Sequence, residues 1–204
     1  MATPEIITRL RDATGAAHAR LEASLDILTQ VADRAERVRL VSRFLALHLQ
    51  TEAKLAPWLP QMAGLEAGLE AGLEAGSRMR AGLIRADLAL LGGREQAASP
   101  GPAGPGIGSL GRALGRMYVL EGSTLGGRTI HRALAKAGQD ARGLGFLDPY
   151  GERTGERWRS FVAALDRLHR DGRADGDEIV TGGVEGFEHA ARVLGGADAL
   201  ERTA

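Results

Sequence analysis

The chain has 204 residues, 29 of them Gly, with no Cys and 4% aromatics. The absence of Cys excludes a disulfide framework, thiolate-bound zinc, an iron–sulfur cluster and c-type cytochrome attachment, and 44% hydrophobic content is too high for a disordered chain. Net charge is +0, from 26 basic and 26 acidic residues, which argues against general nucleic-acid binding, since that rests on neutralising phosphates.

The length suits one domain over 1–204 with a self-sufficient core. The opening Met1-Ala2-Thr3-Pro4-Glu5 has no basic segment followed by an apolar run. No stretch approaches the roughly 18 apolar residues that span a bilayer. A cytoplasmic protein without membrane or nucleic-acid partners is expected. Lys54 and Lys136 are the only lysines, so nearly all positive charge is Arg, the side chain suited to bidentate carboxylate recognition.

Thr3-Pro4 reads as an N-cap followed by Pro at the first helical position, opening a helix to about Ala23. Ile6, Leu10, Ala13, Ala17 and Leu21 form its apolar face. Ile7, Arg11, Thr14, His18 and Glu22 form a second, chemically mixed stripe beside it. The next helix runs from about Arg34 to Trp58 and ends near Pro60, with Val38, Val41, Phe44, Leu45, His48 and Leu55 along it. Residues 64–76 repeat Ala-Gly-Leu-Glu, with helical spacing opposed by a Gly every fourth position; this reads as a marginal surface helix or a mobile segment, a tandem expansion without chemistry. Arg78 to Leu91 is a further helix. Residues 92–108 form a long Gly- and Pro-rich loop. Ser109 to Gly138 reads as a long helix interrupted by Gly, Leu147 to Gly151 as a turn, and Arg153 to Arg170 and Asp175 to Leu194 as the last two helices. No run alternates as a strand would. The expected class is all-α, with about six to eight helices.

Two segments stand out chemically. In Glu121-Gly122-Ser123-Thr124-Leu125-Gly126-Gly127, three Gly in six residues oppose a helix by about 3 kcal/mol against Ala. Either another helix packs closely there, or a flat ligand lies against bare backbone; spacing leaves both open. His18 is the second. Glu22, one turn on, can accept a hydrogen bond from one ring nitrogen, the arrangement that fixes the tautomer of a metal-ligating His. Arg11, two turns back, can meet an anion. The set suits a metal porphyrin with carboxylate arms, and equally a surface ion-pair cluster. His48, His131, His169 and His189 have no second His at i+3 or i+4, so a protein-only zinc or di-iron site is not indicated. Nor is there a Gly-x-Ser-x-Gly elbow for a serine hydrolase.

Leu10-Arg11-Asp12-Ala13-Thr14-Gly15-Ala16-Ala17-His18-Ala19-Arg20-Leu21-Glu22 resembles the proximal-helix signature of heme oxygenases. Tyr118-Val119-Leu120-Glu121-Gly122-Ser123-Thr124-Leu125-Gly126-Gly127 resembles their Gly-rich distal helix. The form is similar to the bacterial, biliverdin-producing type that supplies bacteriophytochromes. Pro149-Tyr150-Gly151, Trp158, Phe161 and the last helix around Phe187 also fit.

The resemblance implies a helical fold that sandwiches heme b, both substrate and cofactor, between the first helix and the Gly-rich helix. It implies His18 as the iron ligand and Glu22 as the acid that orients it. Gly122, Gly126 and Gly127 would be the bare distal backbone. Arg11 would be a propionate partner, with Arg157 and Arg159 as further ones and Tyr150 at the pocket rim. Where animal-type members carry Asp after the first distal Gly, this chain has Ser123, which can hold a water but carries no charge; Glu121 would point elsewhere. The implied reaction uses O2 and electrons from an external reductase or ferredoxin, and a bacteriophytochrome is an implied recipient of biliverdin. A non-catalytic heme carrier or sensor on the same fold is the alternative.

Overall fold

The computed structural model describes residues 3–63, 75–95 and 106–195. Most of the Ala-Gly-Leu-Glu repeat, and the Pro-rich centre of the loop at 92–108, lie outside the described residues. Eight α-helices are present among them: α1 Glu5–Ser24, α2 Ile27–Gln30, α3 Arg34–Leu55, α4 Leu59–Ala63, α5 Ala81–Leu90, α6 Leu110–Lys136, α7 Thr154–Arg170 and α8 Gly176–Leu194. Six of these have ten residues or more. No strand occurs among the described residues, so the all-α expectation holds.

Local chemistry sets the helix starts. Asp33, Ser109 and Asp175 each accept the backbone N–H three residues on, capping α3, α6 and α8. The start of α1 differs from the sequence reading: Pro4 is the N-cap and contributes no side-chain cap. Its buried face also differs. Ile6, Ile7, Leu10 and Thr14 are buried while Ala13 is exposed, so the core seam lies between the two stripes and includes members of the mixed one. The second predicted helix is broken into α3, a short 3-10 turn Ala56–Trp58 with Pro57 in it, and α4, as a proline inside a helical pattern dictates.

α6 packs most extensively on α8, and α8 also carries α1 and α3. The α6–α8 crossing explains much of the Gly content. A Cβ on Gly115 would collide with the carbonyl of Ile179 and the amide of Gly183, and one on Gly182 with the backbone of Arg112. Gly111 and Gly186 sit in the same seam: a Cβ on either would lie only 2.8 Å from the Glu178 Cβ or the Val119 side chain respectively. The helices therefore meet backbone to backbone. This close packing also keeps α6 unbroken through all its Gly, correcting the expected interruption: tertiary contact outweighs the propensity cost.

Two larger apolar clusters and one small one form the core. Ile6, Leu10, Leu114, Met117, Phe161, Leu165 and Ile179 anchor one. Leu40, Val41, Leu45, Ile84, Leu88, Leu134 and Phe146 anchor the other. Leu47, Ala190 and Leu194 form the third. The space where the clusters meet is left unfilled.

Candidate active site

A cavity of about 700 Å³ occupies that space, a size within the usual range for small-molecule and cofactor sites. α1 contributes Arg11, Thr14, His18 and Glu22; α6 contributes Tyr118, Gly122, Ser123, Gly126 and Gly127. Both helices rest on α8, whose Phe187, Ala190 and Leu194 line the gap between them. The fold thus brings together the two segments that stood out in the sequence, which lie about 100 residues apart.

His18 is 55% exposed along its side chain, and its Nε2 lies 3.2 Å from Glu22 Oε1. Its ring tilts against Phe187, with centroids 5.3 Å apart. The carboxylate holds one ring nitrogen as a donor and leaves the other with the lone pair that a metal needs. Arg11 sits beside the Tyr118 hydroxyl, and burial pushes that phenol's pKa up. The pair offers a cation and a neutral donor at one edge of the cavity.

The three Gly singled out on α6 divide into two kinds. A Cβ on Gly126 would meet nothing within 4 Å, and one on Gly122 only the Trp158 ring at 3.8 Å. A Cβ on Gly127 would strike the Leu147 backbone. Close helix–helix packing through Gly122 and Gly126 is therefore not found: these two leave bare backbone on the cavity wall, while Gly127 packs against the 3-10 turn Gly145–Leu147. Ser123 Oγ donates to the Leu120 carbonyl at 2.7 Å and accepts from Arg80 at 3.2 Å.

Three expected pocket residues are placed away from the cavity. Successive helix residues turn by about 100°, so with Trp158 lining the space, Arg157 and Arg159 point to either side of it. Arg159 is exposed. Arg157 donates to Ser77 Oγ at 2.6 Å and stacks over the Tyr150 ring at 5.0 Å. Tyr150 donates to Glu121 Oε1 at 2.9 Å. Glu121 itself is buried and paired with Arg78, pointing away from the cavity as expected. Arg157 and Tyr150 therefore belong to a buried polar network behind α6.

Sequence reasoning missed Arg80, and passed over His48 and Tyr118. His48 is 2% exposed, lines the cavity and places Nδ1 2.9 Å from Glu52 Oε1. Burial holds its pKa down, outweighing Glu52, so the ring is neutral and Nδ1–H donates. Glu52 also accepts the backbone N–H groups of Arg80 and Ala81 at 2.7 and 3.0 Å, capping α5 from another helix. A signal for Arg80 was available: it falls in the first turn of the helix expected over Arg78 to Leu91, where the helix dipole disfavours a cation.

No protein-family model matches the chain. A heme oxygenase of Xanthomonas campestris pv. campestris (strain 8004) is 35% identical over 131 residues, covering 63% of this chain and 70% of that protein. Among solved structures, the NO- and CO-bound heme oxygenase from Neisseria meningitidis superposes with a TM-score of 0.71 at 23% identity, covering 95% of this chain and 91% of that one.

Proposed function

The chain belongs to the heme oxygenase family, and from that premise we propose the part each residue of the cavity plays. The activity is oxidative cleavage of heme to biliverdin, carbon monoxide and ferrous iron, with O2 and electrons supplied from outside the chain. The observation that carries the assignment of the site is that His18 and the bare Gly122–Gly126 backbone face one cavity.

The residues fit heme. Heme supplies, when bound, both the iron that activates O2 and the ring that is cleaved. His18 would hold the iron, since His48, the other histidine lining the cavity, is almost wholly enclosed and held by Glu52. Glu22 fixes the His18 tautomer and ring orientation. Gly122 and Gly126 let α6 lie against the macrocycle, because a side chain at either position would stand in the space the ring needs. Arg11 pairs with a propionate, and the Tyr118 hydroxyl supplies a second donor there. Phe187, Leu21, Leu47 and Ile130 add apolar surface on which the ring can rest. Arg157, Arg159 and Tyr150 take no direct part. A reductase or ferredoxin delivers the electrons, and a bacteriophytochrome is the recipient we propose for biliverdin.

Hemin titration followed by reductant and O2 tests this. The parent protein is expected to give a histidine-ligated spectrum that His18→Ala loses. On turnover the Soret band is expected to decay as a biliverdin band grows. A stable complex that never turns over would point to a carrier, and no spectral change would remove the assignment of the site.

A further inference from the structure

Two arginines flank Met79 and meet opposite fates. Arg78 is 0% exposed, and its guanidinium pairs with Glu121, donates to Ser160 Oγ at 2.8 Å and reaches the Arg157 carbonyl at 3.2 Å. Arg78 thus has a carboxylate counter-charge, although its Nε is buried without a hydrogen-bond partner. Arg80 is 4% exposed, yet among the described residues no carboxylate pairs with its guanidinium. It donates to the Leu120 carbonyl and to Ser123 Oγ, and its Nε is buried without a hydrogen-bond partner. It also lines the cavity. Burial depresses its pKa, with Tyr150, Glu121 and Glu52 opposing only at a distance.

A buried cation is costly unless paired. A carbonyl and a hydroxyl give Arg80 dipoles but no directly paired carboxylate, with Glu121 and Glu52 acting on its charge only through Coulombic attraction, and the side chain lines the cavity. Ser123 sharpens the point. Its proton is committed to Leu120 and one lone pair to Arg80, so toward the cavity it offers a lone pair and no donor. The donor capacity and charge on this wall are those of Arg80.

We propose that Arg80 is a positioning residue on the α6 side of bound heme: it fixes the Ser123 hydroxyl and supplies the positive field that favours an anionic or dipolar ligand on the iron. This rests on the heme-binding reading above. No acid on α6 is needed for that polarity, because the cation reaches the wall from the start of α5.

The test uses the hemin complexes of the parent, Arg80→Met, Arg80→Gln, Arg80→Lys and Ser123→Ala, with inorganic azide and carbon monoxide as iron ligands. Hemin binding by absorbance comes first. Arg80→Met and Arg80→Gln are expected to retain hemin and lose about tenfold in azide affinity, equivalent to ~1.4 kcal/mol, with the C–O stretch of the ferrous complex moving to higher frequency. Arg80→Lys, which keeps the charge, is expected to hold azide near the parent value, and Ser123→Ala to lose less than either neutral variant. If Arg80→Met does not fold, Arg80→Gln, which keeps a donor for the Leu120 carbonyl, carries the same comparison. Unchanged azide affinity and C–O stretch in a hemin-bound neutral variant would overturn the role of Arg80 alone, and so would a loss in Arg80→Lys equal to that in Arg80→Met. Failure of the parent to bind hemin would overturn the heme reading itself.

Discussion

A methyl group added at position 126 enters open space, and one added next to it at 127 strikes the Leu147 backbone. The two residues look alike in sequence and differ in what surrounds them. Gly126→Ala is expected to stabilise the apo-protein by up to ~1 kcal/mol, the helix propensity gained over Gly. It is also expected to slow heme turnover by roughly tenfold, as ~1.4 kcal/mol of fit is lost where the ring should lie. Gly127→Ala is expected to destabilise by ~1–3 kcal/mol through overpacking. Urea unfolding of both variants beside the turnover assay separates the roles; equal stability changes would show that the wall is not divided as the structure places it. The same contrast explains which site residues could be read in advance. His18, Glu22, Arg11, Gly122, Ser123 and Gly126 belong to two local patterns, and each pattern carries its chemistry within about three helix turns. Arg80 and His48 reach the cavity from α5 and α3, and their relation to α6 is made only by tertiary contact. Arg157 and Arg159 lie off the cavity wall, because the face of α7 turned to the cavity is Trp158's.

At the scale of elements, α5 depends on α3. Its N-cap is Arg80, which makes no side-chain cap, so its first amides rely on Glu52. The same carboxylate holds His48. Glu52→Ala leaves buried N–H groups unpaired, a loss of ~1–3 kcal/mol, and frees the His48 ring. The expected result is a lower urea midpoint together with faster amide exchange confined to the first turn of α5; uniform exchange changes would count against a local cap. Helix existence was legible because periodicity and capping residues are local. The α6–α8 crossing was not. Gly115 meets Gly182 and Gly183, while Gly111 lies against Glu178 and Gly186 against Val119, and no single-helix pattern says which distant residue faces which Gly. The interruption expected in α6 came from summing propensities without that partner.

For the whole molecule, the cores meet around a cavity, and polar groups at their junctions bear on stability. His189 of α8 is one. Its Nε2 is buried without a partner, and burial, with Arg116 on α6, Arg192 on α8 and Lys54 on α3, pulls its pKa down to about 4. His48 is depressed in the same direction, chiefly by burial. Both rings are therefore neutral in the folded protein at a pH where the unfolded chain takes up a proton. With folded values below the unfolded 6.5, stability is full above pH 6.5 and falls as the pH drops below it, since the unfolded state binds more protons. For His189 that fall ends near pH 4, where the folded protein also protonates. Urea midpoints are thus expected to decline from pH 7 to pH 5. His189→Asn cannot take up this proton, so its acid limb should be shallower than the parent's by the slope of one proton. Parallel limbs in parent and variant would mean that the cations around His189 do not hold it neutral, and that acid sensitivity arises elsewhere, with His48 the next ring to replace.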